Sequence, residues 1–141
     1  MARLKAVRVL QEKAAEQDLA VARFAAKTAA DHLRNLGALQ VETRQQLSVG
    51  LEAGDRQGAY ICMLEEGLQK ASRPVFESLV VAAQGCCARM ETIWLHARRE
   101  HASIHEIVRH HYERRQKLQE RAAQSVADEL YRSGRERKKH L

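Results

Sequence analysis

The chain contains a single proline, Pro74, among 141 residues. Aromatic residues are also scarce, 4% of the composition. Thick globular cores are filled largely by rings and other large side chains, so this composition suits a long narrow seam better than a rounded core. The three cysteines are odd in number, which excludes a simple disulfide framework. Cys86 and Cys87 are adjacent and would point about 100° apart on a helix, so they would not pair with each other. No apolar stretch approaches the roughly 18 residues needed to span a bilayer as a helix. The first residues, Met1-Ala2-Arg3-Leu4-Lys5, lack a secretory apolar region. These absences predict a single domain in a reducing cytoplasm.

What is present is alanine, leucine and charge. Hydrophobic residues make up 45% and charged residues 30%, the composition of a coiled coil or long helix. The net charge of +6 is unevenly placed. Residues 1–108 carry 14 Lys and Arg against 13 Asp and Glu, whereas residues 109–141 carry 10 against 5. A near-neutral body with a basic end predicts an acidic partner for that end.

The spacing predicts a helix over about 3–48, with the apolar stripe Ala15, Leu19, Ala22, Ala26, Ala29, Leu33, Leu36, Gln40, Thr43, Leu47. Its steps alternate four and three, which keeps one seam facing a partner helix. Leu4, Val7 and Leu10 extend the apolar face in a less regular phase. A turn is expected over about 49–58, where Gly50, Gly54 and Gly58 supply positive φ and Asp55 caps the next helix. A second helix is expected over about 59–133. Its predicted stripe is Ile61, Leu64, Leu68, Ala71, Val75, Leu79, Ala82, Cys86, Met90, Ile93, Ala97, Ile104, Ile107 and Leu118. Residues 134–141 read as a frayed basic tail.

The fold class is therefore all-α: a long antiparallel two-helix coiled-coil hairpin, helix 2 longer than helix 1, with Pro74 as the point of a kink or break. Either helix 2 bends at Pro74, or Ser72 caps a fresh helix that accepts Pro74 in its first turn. The second reading opens the way to a three-helix bundle. If the helices pair from the turn, about 30 residues of helix 2 run past helix 1, and this segment coincides with the basic end.

Motifs for chemistry are weak. His101 and His105 stand four apart, but His105-Glu106-Ile107-Val108-Arg109 ends in Arg where a zincin motif needs His. Solvated helix histidines are the plainer reading. Cys62, Cys86 and Cys87 lack CxxC spacing and read as small core or surface residues. No phosphate-binding glycine loop occurs, and a two-helix rod offers no deep pocket to dry a reaction. The chain is thus expected to be no enzyme, with no cofactor and no metal. Nucleic acid is disfavoured, because Arg114, Arg115, Lys117, Arg121 and Arg132 alternate with Glu113, Glu120, Asp128 and Glu129. In helix 2, Phe76, Leu79, Val80, Val81, Ala82, Ala83 and Cys86 cover more of the circumference than one seam uses. Trp94-Leu95 repeats this further on. Packing on more than one side is predicted, by a third helix, by self-association or by a docked partner.

In order along the chain come an Arg- and Ala-rich first helix ending in Arg44-Gln45-Gln46-Leu47, a Gly-containing turn, Tyr60-Ile61-Cys62-Met63-Leu64-Glu65-Glu66-Gly67-Leu68, the Trp94 region, and Glu113-Arg114-Arg115-Gln116-Lys117 through Asp128-Glu129. This order resembles the FliJ/YscO family, the stalk proteins of bacterial type III export, flagellar or injectisome. The resemblance implies a soluble coupling component that is cytoplasmic and peripheral to the inner-membrane export apparatus. Its implied partners are the hexameric export ATPase, an export gate protein and export chaperones. Carried over by position, the ATPase end would include Leu4, Val7, Leu10, Arg121, Asp128 and Glu129. The gate-facing surface near the turn would include Leu36, Leu39, Tyr60 and Leu64. Pro74 departs from the family's continuous second helix. The alternative is a structural coiled-coil adaptor that self-associates or docks partner helices.

Overall fold

A computed structural model of the chain describes residues 1–139. It holds two α-helices, α1 (Ala2–Glu52) and α2 (Arg56–Lys139), packed against each other as a two-helix hairpin with the second helix the longer. Contacts divide the chain into two compact units.

One unit is Gln11–Ala97 and contains the turn. The turn is three residues, Ala53 to Asp55, much tighter than the expected 49–58. Among the described residues only Gly54 takes a positive φ, at 73°. The Asp55 amide donates to the Gly50 carbonyl at 2.9 Å and the Gly54 amide to the Leu51 carbonyl at 3.3 Å. These two bonds make a Schellman cap, which satisfies the last carbonyls of α1. Gly50 and Gly58 stay helical, which corrects the expectation that all three glycines supply positive φ. Asp55 does cap α2: its Oδ1 accepts from the Gly58 amide at 3.0 Å. A Cβ on Gly58 would fall 2.2 Å from that carboxylate, so glycine here keeps the cap in place. At Gly50 a Cβ would lie 3.6 Å from the Ala59 backbone nitrogen, so the helices approach closely beside the turn.

The α1 seam of this unit runs where its spacing predicts. Ala15, Leu19, Ala22, Gln40 and Thr43 are buried, and Ala26, Ala29, Leu33, Leu36 and Leu47 are half-buried on the same alternating steps. Alanine fills four of its first five positions, Leu19 being the exception. The α2 seam has a different phase from the expected one. Its inward residues are Ala59, Cys62, Glu66, Gln69, Phe76, Val80, Ala83, Cys87, Met90, Trp94 and Ala97, all buried or half-buried. Of the expected stripe, Ile61, Leu64, Leu68, Ala71, Val75, Leu79, Ala82 and Ile93 are instead exposed. The physical reason is polar pairing across the seam. Gln40 Oε1 accepts from Arg73 at 2.9 Å, Thr43 accepts from Gln69 at 2.9 Å, and Arg44 reaches Glu66 at 3.1 Å. These contacts fix an antiparallel register and put polar α2 residues where apolarity alone would not.

Pro74 neither breaks α2 nor starts a new helix. The helix is continuous through it. Ser72 makes no cap and donates its hydroxyl to the Leu68 carbonyl at 2.8 Å. Proline removes the amide that Lys70's carbonyl would accept. Lys70 and Pro74 are both on exposed positions, where water can take over that bond.

The other unit holds Met1–Leu10 with the residues from Arg98 onward. Lys5, Arg8 and Val9 on α1 and Glu100, His101, Ile104 and Val108 on α2 are half-buried. Arg8 pairs with Glu100 across the two helices. From Arg109 to Lys139 every residue is exposed. Helix α2 persists to Lys139, beyond the expected end at 133. Arg137, Lys138 and Lys139 lie in its last turn, where positive charge complements the helix dipole. Of the tail expected to fray, His140 and Leu141 lie outside the described residues.

Candidate interaction surfaces

Around the turn, Tyr60 and Leu64 are exposed on α2, close to the Asp55 cap. Leu36 is half-buried in the inner seam and Leu39 is exposed. By the Gln40–Arg73 contact, Leu36 and Leu39 lie level with Arg73 and its neighbours. That is about 20 Å along the helix from Tyr60. The four residues predicted for the turn end therefore form two separate pairs. A shallow groove beside the turn is lined instead by Gln46, Val49, Gly50, Asp55, Gly58 and Cys62.

Further from the turn lies the polar stretch of the seam. Glu66 accepts at one oxygen from both Lys70 and Arg44, each at 3.1 Å. The hydrogen bond from Lys70, then that from Arg44, holds its carboxyl below the usual carboxylate range against the opposing effect of desolvation. Arg73 spans Gln40 across the seam and Glu77 along its own helix, at 2.9 and 3.0 Å. Gln69 is buried, yet among the described residues its Oε1 has no hydrogen-bond partner. Sequence periodicity missed Gln69 and Arg73, because a more apolar stripe of the same period runs along the other side of α2.

The outer side of α2 in this unit is an exposed apolar surface. Leu64, Leu68 and Val75 are 54%, 70% and 61% exposed. The apolar excess in helix 2 was the sequence signal for it. Of the residues that carried the signal, Phe76, Val80, Ala83 and Cys86 turn inward or sideways, and Leu79, Val81 and Ala82 face out.

In the unit that holds the chain's first residues, Leu4, Val7 and Leu10 are exposed on α1. Arg121, Asp128 and Glu129 share one face of α2 with Gln124, Ser125 and Arg132 and line an open recess. They are brought together with one another. The half-buried α2 residues that accompany α1 stop at Val108, about 20 Å short of Arg121 along the helix, so the predicted α1 and α2 residues form separate patches. Near Val108, Arg109 lies 3.7 Å from both Glu106 and Glu113, and His110 sits between the same two carboxylates at 3.7 and 3.6 Å. At Arg109, then, opposite charges three and four residues apart pair along the helix.

Among the described residues, no group of three or more His, Cys, Asp or Glu is placed to hold a metal ion. No described helix is long and apolar enough to cross a membrane. No family model matches the chain, and no match is found among curated proteins or solved structures.

Proposed function

We propose that the chain is a stalk component of a bacterial type III protein export apparatus. In this reading it binds the hexameric export ATPase and links it to the export gate and to export chaperones, without chemistry of its own. The observation that carries the proposal is the unequal helical hairpin with its long exposed, basic α2 segment, Arg109–Lys139. Such a segment leaves Tyr112, Leu118, Val126, Leu130 and Tyr131 uncovered on a helix that wants a partner. The ordered resemblance of sequence segments supplies the identity of that partner. Arg121, Asp128 and Glu129 share a face and are the residues proposed to meet the ATPase. Leu4, Val7 and Leu10 form a second patch for the same partner. Tyr60 and Leu64 beside the turn, with Leu36 and Leu39 further along, are proposed for the gate side. The proposed location is cytoplasmic, peripheral to the inner-membrane export apparatus.

Size-exclusion chromatography with the cognate export ATPase tests this reading. Co-migration with the hexamer, lost on reversing the charges of Arg121, Asp128 and Glu129 together, is expected. Separate elution under conditions where the hexamer is intact would remove the proposal.

A second reading, a structural coiled-coil adaptor, is favoured by the exposed apolar outer side of α2. It predicts association with helices and no effect on ATPase assembly.

A further inference from the structure

The inner seam of α2 repeats every seven residues, with Ala59, Glu66, Arg73 and Val80 at one core position and Cys62, Gln69, Phe76 and Ala83 at the other. A second repeat of the same period lies on the opposite side of the helix. Its members are Ile61, Leu68, Val75 and Ala82, alternating with Leu64, Ala71, Ser78 and Gly85. All are exposed but half-buried Gly85, beside which the Arg89 guanidinium lies. A pattern held through eight successive positions, on the side away from α1, is a coiled-coil seam without an occupant in this chain.

We propose that the occupant is a second copy of the chain, packed antiparallel on this seam about a two-fold axis. The sequence of sizes selects that partner. Large residues sit at the turn-proximal end and small ones at the other. Antiparallel pairing centred on Arg73 sets Ile61 against Gly85, Leu64 against Ala82, Leu68 against Ser78 and Ala71 against Val75. Every layer then joins a larger residue to a smaller one. Each also joins one seam position to the other, the layer geometry that an antiparallel coiled coil requires. Parallel pairing would instead match each residue with its own copy, so the Ala71, Ser78 and Gly85 layers would have no large side chain to fill them.

Charge points the same way. Flanking the seam are Tyr60, Pro74 and Val81 on one side and Glu65, Ser72 and Leu79 on the other, so Glu65 is the one charge among them. Antiparallel pairing sets Glu65 level with Val81 of the copy rather than against a second carboxylate. An acidic or basic partner helix would find almost nothing on this face to select it, whereas an isologous interface needs only self-complementarity. The seam is about 36 Å long. That places the interface toward the small end of specific contacts, so the dimer is reversible and concentration-dependent. Because α1 lies on the opposite side of α2, the copies form a layer of four helices. This inference rests on the hairpin alone and stands or falls independently of the export reading.

Sedimentation velocity of the full chain, from about 1 to about 200 micromolar, tests it. The expected result is a shift from the 16.0 kDa monomer to twice that mass and no further. Leu68→Glu is expected to weaken association by on the order of tenfold or more, since each axis-related copy would bury an unpaired carboxylate. Leu68 is exposed, so its helical circular dichroism should match the unaltered chain. Orientation is read by mixing Leu68→Cys and Ser78→Cys proteins made with Cys62, Cys86 and Cys87 changed to alanine. The mixed 68–78 disulfide should exceed both 68–68 and 78–78. A monomer throughout, a mass climbing past the dimer, association unchanged by Leu68→Glu, or a dominant 68–68 bridge would each overturn the proposal.

Discussion

Gln69 donates from its side-chain amide to the Thr43 hydroxyl at 2.9 Å, inside the seam between α1 and α2, with both side chains buried. The pair fixes register where the flanking residues are also polar. It also leaves Gln69 Oε1 unpaired among the described residues. Removing one partner of a buried pair costs more than removing both, because the survivor is desolvated without compensation. Thr43→Val is therefore expected to lower stability by about 1–2 kcal/mol. The double change Thr43→Val with Gln69→Leu should be at least as stable as the unaltered chain. Urea midpoints for the single and double variants form a cycle that reads the coupling directly. Additive losses would show that the pair does not act as a unit.

Leu19, 2% exposed, is the most enclosed large apolar side chain among the described residues, and its neighbours along the α1 stripe are Ala15, Ala22, Ala26 and Ala29. Leu19→Ala should cost about 2–3 kcal/mol, at the low end for leucine truncation, because two parallel-sided helices can close up on a small void. Thermal unfolding monitored by circular dichroism checks this. A change below a few tenths of a kcal/mol would mean that the seam around Leu19 is not a folding contact.

The turn depends on two residues with different physics. Gly54 holds φ of 73°, which an alanine reaches only with strain. Gly54→Ala should destabilise by about 1–2 kcal/mol. Asp55 caps α2 through its side chain, and Asp55→Ala should cost about 1 kcal/mol. Urea midpoints at an unchanged slope read both losses, and an unshifted midpoint in either variant would show that its residue does not hold the turn.

Glu66 links folding to pH. Its carboxyl is held below the ordinary value of 4.5 by Lys70 and then Arg44. A carboxyl whose folded value is depressed favours the fold when ionised. Its contribution is complete above the unfolded value and fades as pH falls from about 4.5 through the folded value. Glu66→Gln should flatten the acid side of the stability profile while leaving its shape above pH 6 unchanged. An identical acid limb in the variant would show that the two cations do not favour the ionised form.

The sequence disclosed α1 almost completely, because its stripe from Ala15 to Leu47 is the one inward seam that helix offers, and Gln40 and Thr43 fall on its steps. In α2 the period was legible and the phase was not. Two stripes share the same seven-residue repeat. The one chosen through Ile61, Leu64 and Leu68 is the more apolar, yet it faces outward. The inward stripe passes through Glu66, Gln69 and Arg73, whose partners Arg44, Thr43 and Gln40 lie on the other helix. Pairings across a hairpin are invisible to a pattern read along one strand of sequence. Asp55 as a cap was readable from local chemistry. The division of roles among Gly50, Gly54 and Gly58 was not, because any of the three can take positive φ and only the closing bonds select Gly54. The proposed contact residues were named by resemblance, and their grouping into separate patches emerges only from the register.

The central functional claim is coupling to an ATPase, and turnover is its most direct measure. ATP hydrolysis by the cognate export ATPase should rise as the full chain is titrated in. The rise should saturate, and it should be lost when Arg121, Asp128 and Glu129 are charge-reversed in a protein whose helicity is unchanged. Turnover that stays flat across the titration, with the ATPase assembled and active, would contradict the account.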